Sequence, residues 1–314
     1  MTNQPPAVEI RDLHKSFRQR GGTQVHAVQG VDLTIQRGEV VALLGPNGAG
    51  KTTTLDLVLG FGQPDHGEVR VFGGSPRAAI EDGAVSAVLQ TGGLLADLTV
   101  RETLKAVASL MPRPLPLDEV LDRAGLTTIA RHMVSKCSGG QQQRLKFGLA
   151  LLADPELLIL DEPTAGMDVR ARREFWDTMH AEARQGRTII FATHYLEEAD
   201  TFANRVILMS RGKIVADGST AEIRARTTGR TVVAEVAVQA VERVREAVLT
   251  LDGVHDVTVR GGRMTITCRD SDAVARYLLM HNLGNHLEIT SANLEQAFVA
   301  LTSDSLDTKE EVSL

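Results

Sequence analysis

Cysteine is scarce. The 314 residues hold two, Cys137 and Cys268, too few for a disulfide scaffold, so a reducing compartment is expected. No stretch approaches the roughly 18 consecutive apolar residues that span a bilayer. The opening, MTNQPPAVEI, has no basic segment followed by an apolar one, and no signal peptide is expected. Basic excess is missing as well: 34 Lys and Arg stand against 40 Asp and Glu, a formal charge of −6. A nonspecific nucleic-acid binder needs a basic face, so no nucleic-acid partner is expected. There is no internal repeat and no low-complexity tract. What remains is an ordinary globular composition, 43% hydrophobic and 24% charged. At about 100–200 residues per domain, that means one large domain or two unequal ones. Any membrane role must then come through a partner.

Along the chain, seven polar, proline-bearing residues precede two strand-like segments, VEIRDLHKSF and VHAVQGVDLTI, joined at a Gly-Gly turn. VVALL at 40–44 is continuously apolar and ends at glycine, as a fully buried strand does. KTTTLDLVLG then reads as a helix. After Gln90 the pattern turns helical, with Thr99 and Glu102 spaced as a capping box, until PRPLP breaks it. LLIL at 157–160 and TIIFAT at 188–193 are two more apolar strands, with REFWDTMHAEARQG helical between them and ending near Gly186. RVILMSRGKIVADG reads as a hairpin turned at Arg211-Gly212. Strands alternating with helices predict an α/β fold built on a mostly parallel sheet with antiparallel additions. Polar ARTTGR marks a boundary, which divides the chain into 1–225 and 230–302. The second part runs βαββαβ, the order of a ferredoxin-like unit, its last helix being NLEQAFVALT. Residues 303–314 are polar and expected to be disordered.

Gly45-Pro46-Asn47-Gly48-Ala49-Gly50-Lys51-Thr52 fits GxxxxGK[ST] between an apolar strand and a helix. Glycines let backbone N–H groups curl around phosphate oxygens, and the helix start adds positive dipole. Lys51 then reaches the β- and γ-phosphates, and Thr52 ligates Mg²⁺. The alternative is a chance match in a glycine-bearing turn. LLIL ends in Asp161-Glu162, and a buried strand aims its C-terminal end at the ligand crevice of an open α/β sheet. Asp161 would hold Mg²⁺ and Glu162 would deprotonate an attacking water; alone, the pair could equally be a solvated acidic turn. Ser138-Gly139-Gly140-Gln141 has the capping-box form. Two glycines are costly at a helix start that needs only a cap, but they suit backbone N–H groups that approach an anion closely.

CSGGQQQR followed by LLILDEPTAGMD resembles the signature and Walker B region of an ATP-binding cassette (ABC) ATPase, over roughly residues 8–223. The resemblance implies a P-loop ABC cassette over 1–225, with a mostly parallel core sheet, an antiparallel β subdomain and a helical subdomain at about 92–146. A small C-terminal α+β regulatory or dimerisation domain then fills 230–302. It also implies roles that spacing does not give. Phe17 of LHKSF would stack on adenine, with a core Phe as the bland reading. Thr53 joins the nucleotide-binding residues. Gln90 in AVLQTGGLL would contact Mg²⁺ and water, Asp168 would lie in the D-loop at a dimer interface, and His194 would touch the γ-phosphate. Two ATP would lie between two cassettes, each held by the phosphate loop of one chain and Ser138–Gln141 of the other. Position 137 departs from the family, which most often has Leu there. Cys137, just before a helix start, is either a buried stand-in for Leu or a thiolate favoured by the helix dipole.

GPNGAGKTTT, AGMD and NLEQAFVALT further resemble the drug-resistance exporter branch, of the daunorubicin-resistance ATPase type. That resemblance implies an ATP-hydrolysing subunit, paired with a second such subunit, that drives a separate multispanning permease from the cytoplasmic face of the cell membrane. Soluble ABC ATPases of translation or DNA repair, and exporters of lipid or ions, are the alternatives.

Overall fold

The computed structural model describes residues 4–18, 22–90, 92–226 and 230–291. The helix NLEQAFVALT and the tail 303–314 lie outside the described residues. The chain forms two compact units that meet between Gly218 and Ser219.

In the first unit the elements run β1 Val8–Arg18, β2 Gln24–Ile35, β3 Val40–Leu44, α1 Lys51–Val58, β4 His66–Val71, α2 Pro76–Glu81, β5 Val85–Val88, α3 Val100–Ala108 and α4 Leu117–Arg123. They continue as α5 Gly139–Leu151, β6 Leu157–Asp161, α6 Val169–Arg184, β7 Thr188–Thr193, α7 Leu196–Phe202, β8 Arg205–Ser210 and β9 Lys213–Gly218. In the second unit follow α8 Thr220–Arg226, β10 Arg230–Glu235, α9 Val241–Leu249, β11 Val254–Arg260, β12 Arg263–Cys268, α10 Ser271–Met280 and β13 Asn285–Ser291.

Every residue of β3, β6 and β7 is buried, as their unbroken apolar sequences require of strands covered on both faces. They form the middle of a six-stranded sheet of order β5-β6-β7-β3-β8-β9. Its neighbours are parallel except for the β8–β9 hairpin. A separate antiparallel sheet, β2-β1-β4, contributes Val8, Ile10 and Val31 to a core shared with Leu43, Leu55 and Ile159. Trp176 of α6 stacks on Phe202 and meets Phe191 of β7 edge-on, both with ring centroids 4.6 Å away. Phe175 in turn meets Phe147 of α5 at 5.9 Å. These rings hold α5 and α6 on the sheet. Buried Glu182 of α6 accepts from Arg123 of α4 at 3.0 and 2.5 Å and from Arg187 at 2.7 Å, tying α4 to the body of the unit.

The helical pattern expected after Gln90 starts only at Val100, where Thr99 and Glu102 do form a capping box. The helix read from REFW starts earlier, at Val169, because Asp168 caps it. In the second unit the sheet order is β11-β12-β10-β13, antiparallel throughout. That is the split βαβ arrangement of a ferredoxin-like unit, with its own core of Val232, Val244, Met264, Ile266 and Leu278.

Candidate nucleotide site

Strand register assembles the site. Leu44 pairs with Thr193, and Ala192 with Asp161. The C-terminal ends of β3, β7 and β6 therefore finish level, and the residues that follow them, Gly45, His194 and Glu162, emerge at one sheet edge. Val88 pairs with Leu160, which brings exposed Gln90 to the same edge beyond β5.

Between β3 and α1 the loop is glycine-dependent at two points. A Cβ on Gly45 would lie 2.4 Å from the Met209 carbonyl oxygen. Gly50 has φ +104°, and its Cβ would lie 2.3 Å from the Ala27 carbonyl oxygen, so no other residue fits without displacing backbone. Pro46, Asn47 and Gly48 are exposed, whereas Ala49 is buried. Gly50 is also the N-cap of α1 and gives it no side-chain cap. The starts of α2, α3, α5 and α6 are capped by Ser75, Thr99, Ser138 and Asp168. The orphan N–H groups at Lys51, Thr52 and Thr53 are thus left to an outside acceptor.

Lys51 is 6% exposed. Its ammonium donates to the carbonyls of Gly45 at 2.7 Å and Pro46 at 3.3 Å. Burial lowers its pKa, against the pull of Glu162 and Asp161. A buried cation held only by neutral carbonyls suits an anion in the loop. Thr52 donates its hydroxyl to Asp161 Oδ2 at 3.0 Å. Burial raises the Asp161 pKa; the Thr52 bond and Lys51 oppose the rise and Glu162 adds to it. Among the described residues no group of three or more His, Cys, Asp or Glu gathers into a metal site. One hydroxyl beside one carboxylate suits a Mg²⁺ that takes its other ligands from phosphate and water.

Glu162 follows β6 with φ +51°, a left-handed value that a non-glycine residue keeps only when its surroundings hold it. Its N–H donates to the Ala192 carbonyl at 2.9 Å. His194 Nδ1 lies 2.9 Å from Glu162 Oε1 and 2.8 Å from Oε2. One imidazole nitrogen therefore faces both carboxylate oxygens.

The ABC transporter sequence profile matches residues 28–165. The daunorubicin/doxorubicin resistance ATP-binding protein DrrA of Streptomyces peucetius is 31% identical over 323 residues, 98% of this chain and 96% of that one. The linearmycin resistance ATP-binding protein LnrL of Bacillus subtilis is 31% identical over 294 residues, 89% and 94%. The chain belongs to the ABC transporter ATP-binding proteins. The Nod factor export ATP-binding protein I of Paraburkholderia xenovorans is 36% identical over 236 residues, 71% of this chain and 74% of that one. Among solved structures, cbiO1 from Clostridium perfringens, part of the ABC transporter complex cbiONQ, has a TM-score of 0.62 at 27% identity, covering 79% of this chain and 96% of that one. A dimeric ATP-binding cassette in a post-hydrolysis state, bound to ADP and Pi, has a TM-score of 0.61 at 25% identity, covering 68% and 98%.

This ABC ATPase hydrolyses ATP. Its remaining motif residues sit on β1 and at the starts of α5 and α6. Ser138 and Gln141 bond each other: the Ser138 N–H donates to Gln141 Oε1 at 2.9 Å and the Gln141 N–H to Ser138 Oγ at 3.3 Å. Ser138 and Gly139 are exposed at the start of α5, and Gly140 is buried. Asp168 is exposed, and its Oδ1 accepts the Ala171 N–H at 2.8 Å. The Phe17 ring is 49% exposed, so the core alternative fails; Lys15 Nζ sits 5.7 Å from its centroid. Cys137 corrects the thiolate alternative. It is buried, its Sγ donates to the Met133 carbonyl at 3.4 Å, and burial pushes the thiol pKa up. Sequence reasoning passed over Thr164, Thr193 and Glu198. Hydroxyls and a helix carboxylate look like surface residues in the sequence, yet all three are buried beside Glu162 and His194.

Proposed function

We propose that the chain is the motor subunit of an exporter, working as a pair of identical subunits that close head-to-tail on two ATP and drive a separate multispanning permease. The observation that carries the chemistry is the Glu162–His194 pair, 2.9 Å apart at the sheet edge that also holds the uncapped start of α1. In this reading Lys51 leaves the carbonyls of Gly45 and Pro46 for the β- and γ-phosphates, and backbone N–H groups between Asn47 and Thr53 surround them. Thr52, Asp161 and Gln90 would hold Mg²⁺, which supplies charge neutralisation at the phosphates when bound. Glu162 takes the proton of the attacking water. His194 orients that carboxylate and reaches the γ-phosphate. Phe17 stacks on adenine. Ser138–Gln141 and Asp168, exposed or half-buried apart from Gly140, serve the partner's nucleotide, an isologous arrangement of the kind twofold symmetry produces.

Drug or antibiotic efflux is the cargo class we favour. The alignments with the two resistance proteins run over 98% and 89% of the chain and so take in most of the unit beyond Gly218, whereas the Nod factor exporter aligns over 71%. We assign the cassette to 1–225, with its helical subdomain at about 92–146. The unit at 230–302 acts in assembly or regulation, since every nucleotide motif precedes it. No helix among the described residues is long and apolar enough to cross a membrane, so the work at the cytoplasmic membrane face needs the permease. The test is to express the chain with and without each multispanning protein that a neighbouring reading frame proves to encode. Export requires that the chain sediment with membranes only in the joint expression, and that cells carrying both lose accumulated drug. A chain that stays in the supernatant in both cases overturns the exporter reading.

A further inference from the structure

Glu198, on α7, is 2% exposed, and none of the roles above uses it. Its carboxylate gathers three segments of the site. Oε1 accepts the hydroxyl of Thr164, two residues beyond Glu162. Oε2 accepts the hydroxyl of Thr193, the residue before His194, at 2.9 Å. Arg172, on α6, places Nε 3.5 Å from Oε1, and its own N–H donates to the carbonyl of Asp168 at 3.0 Å. The Thr193 oxygen works twice: it also accepts the N–H of Tyr195 at 3.0 Å, so it fixes the backbone on both sides of His194. Arg172 then lies over the Tyr195 ring, 4.6 Å from its centroid. On the other arm, Thr164 anchors the turn in which Glu162 holds φ +51°. The far side of that turn is pinned by the Glu162 N–H on Ala192.

We infer that Glu198 is a positioning residue for hydrolysis: one buried carboxylate, through Thr164 and Thr193, sets the separation and orientation of Glu162 and His194. Apolar packing would join the same segments with less desolvation, but it would not fix two hydroxyl directions at once. The inference rests on Glu162 being the general base. A carboxylate misplaced by about 1 Å costs on the order of 10²-fold in rate, while the phosphate loop, on a different strand, keeps its grip on ATP.

The test uses the full-length protein and separates turnover from binding. Glu198→Gln should lower kcat roughly 10- to 100-fold while KM and the calorimetric affinity for ATP with Mg²⁺ stay within about twofold. Thr193→Val should fall similarly, and Thr193→Ser, which restores the hydroxyl, should recover most of the wild-type kcat. The Glu198→Gln/Thr193→Val double variant should be no slower than the slower single variant, because both remove the same link. Wild-type kcat in folded Glu198→Gln, or a Thr193→Ser protein as slow as Thr193→Val, overturns the inference. So does a loss of ATP affinity that accounts for the whole defect. Should Glu198→Gln fail to fold, the Thr193 pair decides alone. Glu162→Gln runs alongside: wild-type turnover there removes the base assignment, whereas a dead Glu162→Gln beside an unaffected Glu198→Gln removes only the positioning role.

Discussion

A methyl group on Gly140 would lie 2.8 Å from the Cβ of Ala171, closer than two packed carbons approach. The start of α5 and the first turn of α6 are therefore pressed together, and the second glycine of the pair answers to packing within the chain. Gly139 differs: its Cβ would stop 3.8 Å from the Gly166 carbonyl oxygen, an ordinary contact. Gly140→Ala should lower unfolding stability by about 1–3 kcal/mol through overpacking. Gly139→Ala should leave it unchanged or raise it by about 0.4–1 kcal/mol and still lose ATPase activity, because in the proposed head-to-tail dimer the exposed glycine serves the partner's nucleotide. Denaturant midpoints and phosphate release on both variants check this; equal stability losses would contradict it.

The Asp161 carboxyl carries a pH signature. Burial raises its native pKa above the unfolded value of 3.8, so in the window above 3.8 the native state holds a proton that the unfolded chain has lost. Stability of the nucleotide-free protein then falls as pH rises through that window. Asp161→Asn removes this fall. Its denaturation midpoint, compared with wild type between about pH 4 and 7, should move in the variant's favour as pH rises. A constant difference across the series would mean that Asp161 titrates alike in both states.

Cys137 should be inert. With its thiol buried, bonded to Met133 and pushed up in pKa, alkylation by iodoacetamide should be negligible in native protein and complete after denaturation, with or without ATP. Mass spectrometry of the labelled peptide reads the result. Rapid nucleotide-sensitive labelling in the native state would restore the thiolate.

Local order left a clear trace in this sequence. The runs at 40–44, 157–160 and 188–193 are apolar because both faces of those strands are covered, and the phosphate loop is legible because only glycine fits at Gly45 and Gly50. The capping boxes at Thr99 and Ser138 are spelled by residues three apart and both form. Packing between distant segments left little trace. Glycine at 140 is set by Ala171, and burial of Glu198 is set by hydroxyls at 164 and 193; neither pairing has a local pattern. Short elements such as β4, α2 and β5 go unread for a related reason: four to six residues are too few to show a period.

Loss of the Lys51 ammonium should show in binding. It is the buried cation of the loop and has no carboxylate hydrogen bond to lose. A charge-assisted phosphate contact contributes roughly 1.5–3 kcal/mol, so Lys51→Ala should weaken ATP about 10- to 100-fold by calorimetry. Unchanged affinity would place the triphosphate elsewhere.

Turnover by Glu162→Gln tests the central claim most directly. The substitution removes the proton acceptor but keeps the size and the hydrogen bond to His194, while Lys51, Thr52 and Asp161 are untouched. Phosphate release should fall roughly 10²- to 10⁴-fold, and size-exclusion chromatography with ATP and Mg²⁺ should show a dimer that persists because it cannot hydrolyse its nucleotide. A Glu162→Gln protein that releases phosphate at the wild-type rate would contradict the account.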